Sequence, residues 1–211
     1  MDGLTTPEPE PRFARARPAR TVVCVSDDED AQLMLAYAGG EMRAFETLYA
    51  RHRTALYRYL VRQARDGEIA NDLFQEVWSR VIVNRARYEP RAKFRTFLFT
   101  LAHNCFIDHC RRTKSRPGGS SVDDADAADL LPADDSAQPE RALERDESTR
   151  RYRAALASLP PEQRDAYLLH EESDLSLEEI GRVTGVGTET AKSRLRYALA
   201  KLKAAMAVAE A

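Results

Sequence analysis

The chain has few of the features that mark secreted, membrane or zinc-ribbon proteins. Its 211 residues include three cysteines, Cys24, Cys105 and Cys110, which form no CxxC pair. An odd set with this spacing argues against a disulfide framework and a zinc ribbon, so reduced thiols are expected. No apolar run approaches the roughly 20 residues that cross a bilayer, and the start, MDGLTTPEPEPRFARARPAR, lacks the apolar stretch of a secretory signal. We therefore expect a cytoplasmic protein without membrane contact.

A strong net charge is also absent. The formal charge is -2, from 32 basic and 34 acidic residues, which at first argues against nucleic-acid binding. A whole-chain sum, however, hides how the charges are distributed along the chain. The 43% hydrophobic residues suffice for a core, and the length suits one ordinary domain or two small ones. The distribution of charge is therefore more informative than its sum.

Motifs of catalysis and metal binding are missing as well. The chain has no Ser/His/Asp order, no glycine loop that cradles a phosphate and no HExxH motif, so neither an enzyme nor a cofactor is predicted. His103, Cys105, His109 and Cys110 are of zinc-ligand types. At about 100° per residue, however, His103 pairs with Cys110 and Cys105 with His109, and the two pairs face different directions. No metal site is predicted.

Helical periodicity runs through most of the chain and predicts an all-α fold. Residues 1–26 lack any period and are predicted to form a disordered tail. Acidic residues precede a first helix that Gly39-Gly40 ends, and apolar residues at three- and four-residue steps predict a second helix through residues 45–60. A third helix is predicted to begin near Ala70, and a fourth to run through residues 94–112 after a loop at residues 84–93.

An acidic segment interrupts the helical pattern near the middle of the chain. The stretch PGGSSVDDADAADLLPADDSAQPE holds seven acidic residues and no basic one. Such a segment buries too little apolar surface to offset the entropy of ordering, which predicts a flexible, self-repelling linker at residues 115–141. The sequence thus predicts two small helical domains, residues 27–114 and residues 142–206.

The second domain carries the clearest motif, SLEEIGRVTGVGTETAKSRLRYALAKL. Ser176 and Glu179 have the spacing of a capping box, and Gly185 stands where a sharp turn requires a positive φ. A second helix that begins near Thr188 completes helix-turn-helix spacing, and such a helix enters the major groove with its N-terminal residues facing base edges. Its charges are mostly positive, which suits phosphate neutralisation. The residues predicted to face bases or phosphates are Thr188, Glu189, Lys192, Ser193, Arg194 and Arg196.

The longer stretch ALASLPPEQRDAYLLHEESDLSLEEIGRVTGVGTETAKSRLRYALAKLK resembles region 4 of extracytoplasmic-function sigma factors, in the sigma-70 family. The resemblance rests on the Leu-Pro before an Arg-containing helix, on Leu-Ser-x-x-Glu-Ile and on Thr-x-Lys-Ser-Arg-Leu. Gly181 and Ala191 replace the family's usual Ala and Val, which predicts looser packing between the two helices. The resemblance implies minus-35 recognition by Thr188, Glu189, Thr190, Lys192, Ser193, Arg194 and Arg196.

In the first domain, the segment ANDLFQEVWSRVIVNR has an apolar face and an opposite polar face. On pattern alone the polar face fits an ordinary solvated surface. Its Asp-Leu-x-Gln-Glu-Val, however, is similar to sigma region 2.2, which docks on the coiled coil of the β′ subunit of RNA polymerase. The resemblance implies that the residues contacting core polymerase are Asp72, Gln75, Glu76 and Arg80.

The following segment, FRTFLFTLAHNCFIDHCRR, interleaves aromatic and basic residues. Such residues can stack unpaired bases and hold a single strand, and about half of these aromatics are equally well explained as core. The segment resembles sigma regions 2.3 and 2.4, which melt the minus-10 element and hold an extruded base with the preceding loop. Phe97 replaces the family's usual Trp and fits either stacking or the core. The implied minus-10 residues are Arg85, Arg91, Lys93, Arg95, Phe97, Asn104, Asp108, Arg111 and Arg112.

Together the two resemblances predict an alternative sigma factor that binds core polymerase at the β′ coiled coil and the β flap. The expected partners are promoter DNA and an anti-sigma factor, and the free protein is expected to be monomeric. The acidic linker is hypothesised to thread the polymerase interior. The alternative is a helix-turn-helix repressor or activator that acts without polymerase, as a dimer on a palindromic site. Cys105 and Cys110 stand at positions apolar in the family, which favours buried packing over redox sensing.

Overall fold

The computed structural model describes residues 28–114 and 139–207, with side chains at residues 28–113 and 147–207. All regular structure in these two ranges is helical, in agreement with the predicted all-α fold. The predicted N-terminal tail and residues 115–138 of the predicted linker lie outside the described residues. The helices are α1 (Glu29–Ala38), α2 (Met42–Ala64), α3 (Gly67–Val83), α4 (Phe94–Lys114), α5 (Pro139–Ala157), α6 (Pro161–Ser173), α7 (Leu177–Thr184) and α8 (Thr188–Ala207), with a 3-10 turn at Arg85–Arg87.

Two helices begin earlier than their patterns predicted. Helix α3 starts at Gly67 rather than near Ala70, because the Asp66 carboxylate accepts hydrogen bonds from the backbone N–H groups of Glu68 and Ile69, at 2.8 and 3.0 Å. Helix α5 starts at Pro139, inside the segment predicted as linker. Proline suits a helix start because the N–H it lacks has no partner there.

Helices α1 to α4 form the N-terminal module around one face of α2. The predicted stripe on α2 is buried at Leu48, His52, Leu56, Tyr59 and Leu60. The opposing side chains from α3 and α4 are fully or almost fully buried as well, and they include Leu73, Val77, Val81, Phe94, Leu98 and Phe99. This packing leaves the polar faces of α3 and α4 outside.

Helix α1 fixes the position at which α4 begins. The Asp28 carboxylate accepts a 2.7 Å hydrogen bond from the backbone N–H of Phe94, the first residue of α4. Two residues further on, the Asp30 carboxylate lies 2.7 Å from Nε2 of the buried His52. Burial lowers the pKa of His52 below its ordinary value, although Asp30 partly opposes the shift. The loop at residues 84–93 is therefore held at the end that leads into α4.

Helices α5 to α8 form the C-terminal module, and its helix-turn-helix follows the predicted spacing. The Ser176 hydroxyl accepts from the backbone N–H of Glu179, whose carboxylate accepts in turn from the backbone N–H of Ser176. Gly185 ends α7 with φ of 71°. The predicted capping box and glycine turn are both confirmed, and α8 starts at Thr188 as expected.

The expectation of looser packing at Gly181 is wrong. A methyl group on Gly181 would lie 2.8 Å from the backbone carbonyl oxygen of Val186, and that contact is too short for any real Cβ. The backbone N–H of Val186 also donates a 2.9 Å hydrogen bond to the Gly181 carbonyl. The turn therefore lies directly against α7, and Gly181 fills the available space.

Gly181→Ala is accordingly expected to destabilise the protein. Alanine favours a helix over glycine by up to about 1 kcal/mol, but displacing the turn is expected to cost about 1–3 kcal/mol, as overpacking usually does. Denaturant unfolding of the full chain would measure the difference. Gly187→Ser is the control, because nothing lies within 4 Å of a Cβ on Gly187 and serine is a good residue for a helix start. A Gly181→Ala protein as stable as the wild type would show that the turn moves freely.

Candidate polymerase and nucleic-acid interfaces

The polar face of α3 lies at the surface, as the sequence predicted for a docking face. Asp72 and Gln75 are exposed, whereas Glu76 and Arg80 are half-buried. Glu76 pairs with Arg80 at 2.5 Å and with Arg112 of α4 at 3.7 Å. Asp72 has no ion pair within the described residues. Asp72 is thus the carboxylate on this face that is most open to a basic partner.

The loop at residues 84–93 carries three of the predicted minus-10 cations, and two of them, Arg85 and Arg91, have partners within the N-terminal module. The Arg85 guanidinium lies 5.8 Å from the ring centroid of Tyr37 and donates a 2.9 Å hydrogen bond to the Ile82 carbonyl. Arg91 donates from Nε to the Glu89 carboxylate at 2.7 Å. Arg91 is largely exposed all the same. Both cations lie at the surface, where a strand can reach them.

Two further predicted minus-10 cations face the C-terminal module. Lys93 Nζ lies 3.2 Å from the Glu179 carboxylate of α7. Arg95 lies 3.2 Å from the Asp174 carboxylate and 3.1 Å from the Ser173 carbonyl. The two modules therefore pack so that Asp174, just before the helix-turn-helix, and Glu179, within it, contact residues at the start of α4.

Phe97 lies in an aromatic cluster rather than on an open surface. Its ring centroid is 5.2 Å from that of Tyr88 and 6.1 Å from that of Phe94, and the side chain is half-buried. Such tilted and edge-to-face contacts stabilise aromatic cores. The arrangement favours the core alternative for Phe97, and part of its surface stays open to solvent.

The outer face of α4 carries residues that are predicted to bind DNA, and two of them form ion pairs with α3 residues that are predicted to contact polymerase. Asn104 is exposed. Asp108 lies 3.7 Å from Arg111 and 3.9 Å from Arg80 of α3. Arg112 is also exposed and lies beside α3 through its pair with Glu76. The residues predicted for polymerase and for minus-10 DNA are thus adjacent, which their separation in sequence did not indicate.

Helix α8 presents the predicted minus-35 residues to solvent. Its other face is anchored in the core by buried Ala191, Leu195, Ala198 and Leu202. The exposed guanidinium of Arg196 lies 5.1 Å from the ring centroid of its neighbour Tyr197. The exposed members of the predicted set are Thr188, Glu189, Thr190, Lys192 and Arg196, and the half-buried members are Ser193 and Arg194.

Of the sulfur and imidazole groups considered as metal ligands in the sequence, Cys105 is buried, whereas His103, His109 and Cys110 are half-buried. Cys105 is fully buried, and burial raises the pKa of its thiol to about 11. A thiol with so high a pKa is unreactive at neutral pH, as expected for a packing role. His103 Nδ1 lies 2.9 Å from a carboxylate oxygen of Asp165 in α6. Across the described ranges, no three His, Cys, Asp or Glu residues could jointly hold a metal ion.

Sequence reasoning missed four acidic residues that face the N-terminal module. They lie on α6, after its end, or on α7, where their spacing resembles that of an ordinary solvated face. Only the packing of α6 and α7 against α2 and α4 distinguishes these four acids from the acids of a solvated helix face. The four residues are Asp165, Glu172, Asp174 and Glu179.

The helices in the part of the chain that the structure describes include none long and apolar enough to cross a membrane. Comparison with known families is more specific. The family of sigma-70 region 2 matches residues 48–116, and that of sigma-70 region 4 matches residues 149–202. The two matches follow each other in the order in which the two helical modules occur.

Individual relatives agree with the family matches. The chain is 33% identical over 171 residues to the RNA polymerase sigma factor CarQ of Myxococcus xanthus, covering 81% of this chain and 93% of that protein. It is 30% identical over 174 residues to the ECF RNA polymerase sigma factor SigM of Mycobacterium tuberculosis, covering 82% of each.

Two solved structures share the fold at lower identity. CnrH, in complex with the cytosolic domain of CnrY, superposes with a TM-score of 0.62 at 23% identity, covering 85% of this chain and 97% of that one. The sigma factor RpoE of Bartonella quintana, in complex with the anti-sigma factor NepR, superposes with a TM-score of 0.63 at 21% identity, covering 78% and 97%.

A region 2 module followed by a region 4 helix-turn-helix defines a promoter-recognition subunit of RNA polymerase. The chain belongs to the extracytoplasmic-function sigma factors of the sigma-70 family. It binds core polymerase and directs promoter-specific initiation, as the sequence predicted. These relatives support that function and do not support the alternative of a regulator that acts without polymerase.

Proposed function

We propose that three surfaces, two of them adjacent, carry out the steps of initiation. The polar face of α3 docks on core polymerase, α4 with the loop before it opens the minus-10 element, and the exposed face of α8 reads the minus-35 element. The observation that supports this assignment is that α3, α4 and α8 each present a polar surface because the opposite face of the helix is buried. A charged surface held in one orientation is what recognition of a charged partner requires.

The docking step is assigned to Asp72, Gln75, Glu76 and Arg80. Asp72 meets basic groups on the β′ coiled coil directly, whereas Glu76 is partly neutralised by Arg80 and Arg112. Glu76 therefore contributes less to the contact than its charge suggests. The C-terminal module makes a second contact, with the β flap.

The opening step is assigned to the cations of the loop and of α4. The exposed guanidinium groups hold the sugar-phosphate backbone of the displaced strand, and Asn104 and the edge of Phe97 face its bases. The full set is Arg85, Arg91, Lys93, Arg95, Phe97, Asn104, Asp108, Arg111 and Arg112.

The reading step is assigned to the first turns of α8. A helix whose N-terminal residues are exposed and polar can enter the major groove, where Arg and Lys recognise guanine. Lys192 and Arg196 lie one turn apart and are both exposed. Thr188, Glu189, Thr190, Ser193 and Arg194 complete the set.

The remaining partners follow from the same assignment. The subunit breaks no bond and acts in the cytoplasm with polymerase, and it is a monomer when free. An anti-sigma factor is proposed to hold it inactive, since the two solved structures described above are complexes, one of them with an anti-sigma factor. The seven acids of the predicted linker, which fall almost entirely outside the described residues, are proposed to follow the path that RNA later takes.

Run-off transcription with bacterial core polymerase tests the function as a whole. The template is the region upstream of the protein's own gene, together with a small promoter library. Specific transcript starts are expected only when both core polymerase and this protein are present. A protein that protects a palindromic site by itself, and leaves core polymerase unresponsive, would overturn the proposal.

A further inference from the structure

The start of α4 is held by a carboxylate from a distant part of the chain. An α-helix leaves the backbone N–H groups of its first turn without partners inside the helix. The Asp28 carboxylate accepts a 2.7 Å hydrogen bond from one of these groups, that of Phe94, which lies 66 positions further along the chain. The Phe94 side chain is fully buried, and a buried N–H without an acceptor is costly. Asp28 therefore caps α4.

Asp28 makes this contact in place of the local one that its position favours. It is the N-cap residue of α1, where an aspartate usually accepts hydrogen bonds from the N–H groups of its own helix. Asp66 does so at the start of α3. The Asp28 side chain makes no such hydrogen bond to α1. The packing of α1 beside α4, and not the local sequence, thus determines what Asp28 caps.

Helix α1 also faces the rest of the loop between α3 and α4. At the beginning of the loop, the Arg85 guanidinium lies 5.8 Å from the ring centroid of Tyr37 in α1. In its middle, burial raises the pKa of Tyr88, and the nearby carboxylates of Asp28 and Asp30 raise that pKa further. Together with the cap on α4, these contacts place α1 along the whole loop.

Two of the cations assigned to minus-10 DNA flank the capped residue. Lys93 immediately precedes Phe94, and Arg95 immediately follows it. A shift of the Phe94 backbone would therefore move both side chains. When only one of several loop conformations can bind, the apparent affinity falls in proportion to the population of that conformation. The cap is thus expected to affect recognition of the strand as well as stability.

We propose that Asp28 is a positioning residue for minus-10 recognition. By capping α4, it holds the preceding loop, Lys93 and Arg95 in the arrangement that accepts the displaced strand. Asp28 acts through the loop and need not contact the DNA itself. This inference rests on the proposed function of α4 and its loop. It adds α1, to which the sequence assigned no role, as the element that sets the geometry of the loop.

The test compares three replacements of Asp28. Asp28→Ala removes the cap, whereas Asp28→Asn keeps an oxygen acceptor at the same distance and removes only the charge. Asp28→Ser suits the N-cap of α1, but its hydroxyl is one bond shorter than the carboxylate and does not reach Phe94. Glu29→Gln is the matched control, because Glu29 is the next residue, is exposed and pairs with Arg51 at 3.4 Å.

The main measurement is the discrimination of the holoenzyme between single-stranded oligonucleotides. One fluorescent oligonucleotide carries the non-template minus-10 sequence mapped by run-off transcription, and the others carry single-base substitutions. Partial unfolding lowers the amount of active holoenzyme for all of them alike, so it leaves the ratio of their dissociation constants unchanged. Asp28→Ala is expected to reduce this ratio by about fivefold, the effect of losing a cap of typical strength. Asp28→Asn is expected to retain most of the ratio, and Glu29→Gln to stay within about twofold of wild type.

Hydrogen exchange of the free full-length protein reports on the cap directly. The Phe94 amide is expected to exchange at least about fivefold faster in Asp28→Ala, because exchange requires the hydrogen bond to open. Its rate in Glu29→Gln is expected to match that of wild type, and its rate in Asp28→Asn to lie close to it.

The outcomes separate this inference from the proposed function. Unchanged discrimination by Asp28→Ala would overturn the positioning role, whatever the exchange rate, and would leave the sigma assignment intact. A loss in Asp28→Asn or Glu29→Gln equal to that in Asp28→Ala would also overturn it, because charge alone would then explain the effect. A wild-type holoenzyme that does not discriminate would instead count against the proposed function of α4. If circular dichroism shows that Asp28→Ala is unfolded, Asp28→Ser, with the same expected loss, provides the test.

Discussion

Replacing Lys192 and Arg196 together with alanine is expected to reduce minus-35-dependent transcription by about 30-fold or more. Each side chain is exposed on the same face near the start of α8, and a specific contact between such a residue and a base contributes about 1–3 kcal/mol. The anchoring face of α8 is untouched, so the protein is expected to fold normally. Run-off transcription on the mapped promoter, at saturating core polymerase, measures the loss.

The control for this experiment is Lys203→Ala. Lys203 is an exposed cation near the other end of the same helix, so its replacement changes charge without touching the proposed reading surface. The loss for the double variant is expected to disappear on a template whose minus-35 element is scrambled, since that template offers no specific contact to lose. An equal loss for both variants on every template would contradict base reading and indicate general electrostatics.

Asp72→Lys is expected to weaken binding to core polymerase at least tenfold, or about 1.4 kcal/mol. Asp72 is exposed on α3 and has no ion pair in the described ranges, so charge reversal sets it against the basic partner without breaking a contact inside the protein. Glu76 is a less clean choice, because its loss also disrupts pairs with Arg80 and Arg112. Fluorescence titration of labelled protein with core polymerase measures the dissociation constant.

Glu46→Lys makes the same charge change at an exposed position of α2 outside the proposed docking surface. Its dissociation constant for core polymerase is expected to stay near that of wild type at physiological salt, where distant charges are screened. If Asp72→Lys and Glu46→Lys weaken binding equally, the docking surface does not lie on α3. Unchanged binding in both variants would lead to the same conclusion.

Local features of the fold followed from the sequence because their causes lie within a few residues. The pairing of Ser176 with Glu179 and the positive φ of Gly185 depend on neighbours three or four positions away, and both were predicted correctly. Gly181 was misjudged, since comparison with the usual family residue says nothing about the position of a backbone carbonyl. That carbonyl, from Val186, occupies the space into which a side chain would project.

In the candidate site, too, the features that depend on local sequence were predicted, and those that depend on the packing of the two modules were not. The face to which Asp72 belongs and the exposed turns of α8 were identified from helical spacing and family resemblance. The engagement of Lys93 and Arg95 by acids of the second module was not, because the sequence predicted two modules separated by a linker. It gave no reason to expect the modules to pack together.

The sequence by itself therefore determined the helices, the capping and turn residues and the order of the two sigma regions. These depend on periodicity, on short-range hydrogen bonds and on motifs, all readable along the chain. Only the tertiary structure decided that Asp165 would meet Tyr59, 106 positions away, and that Glu179 would meet Lys93. Pairings at such separations are set by how whole helices pack, and a solvated acid and an interface acid look the same in sequence.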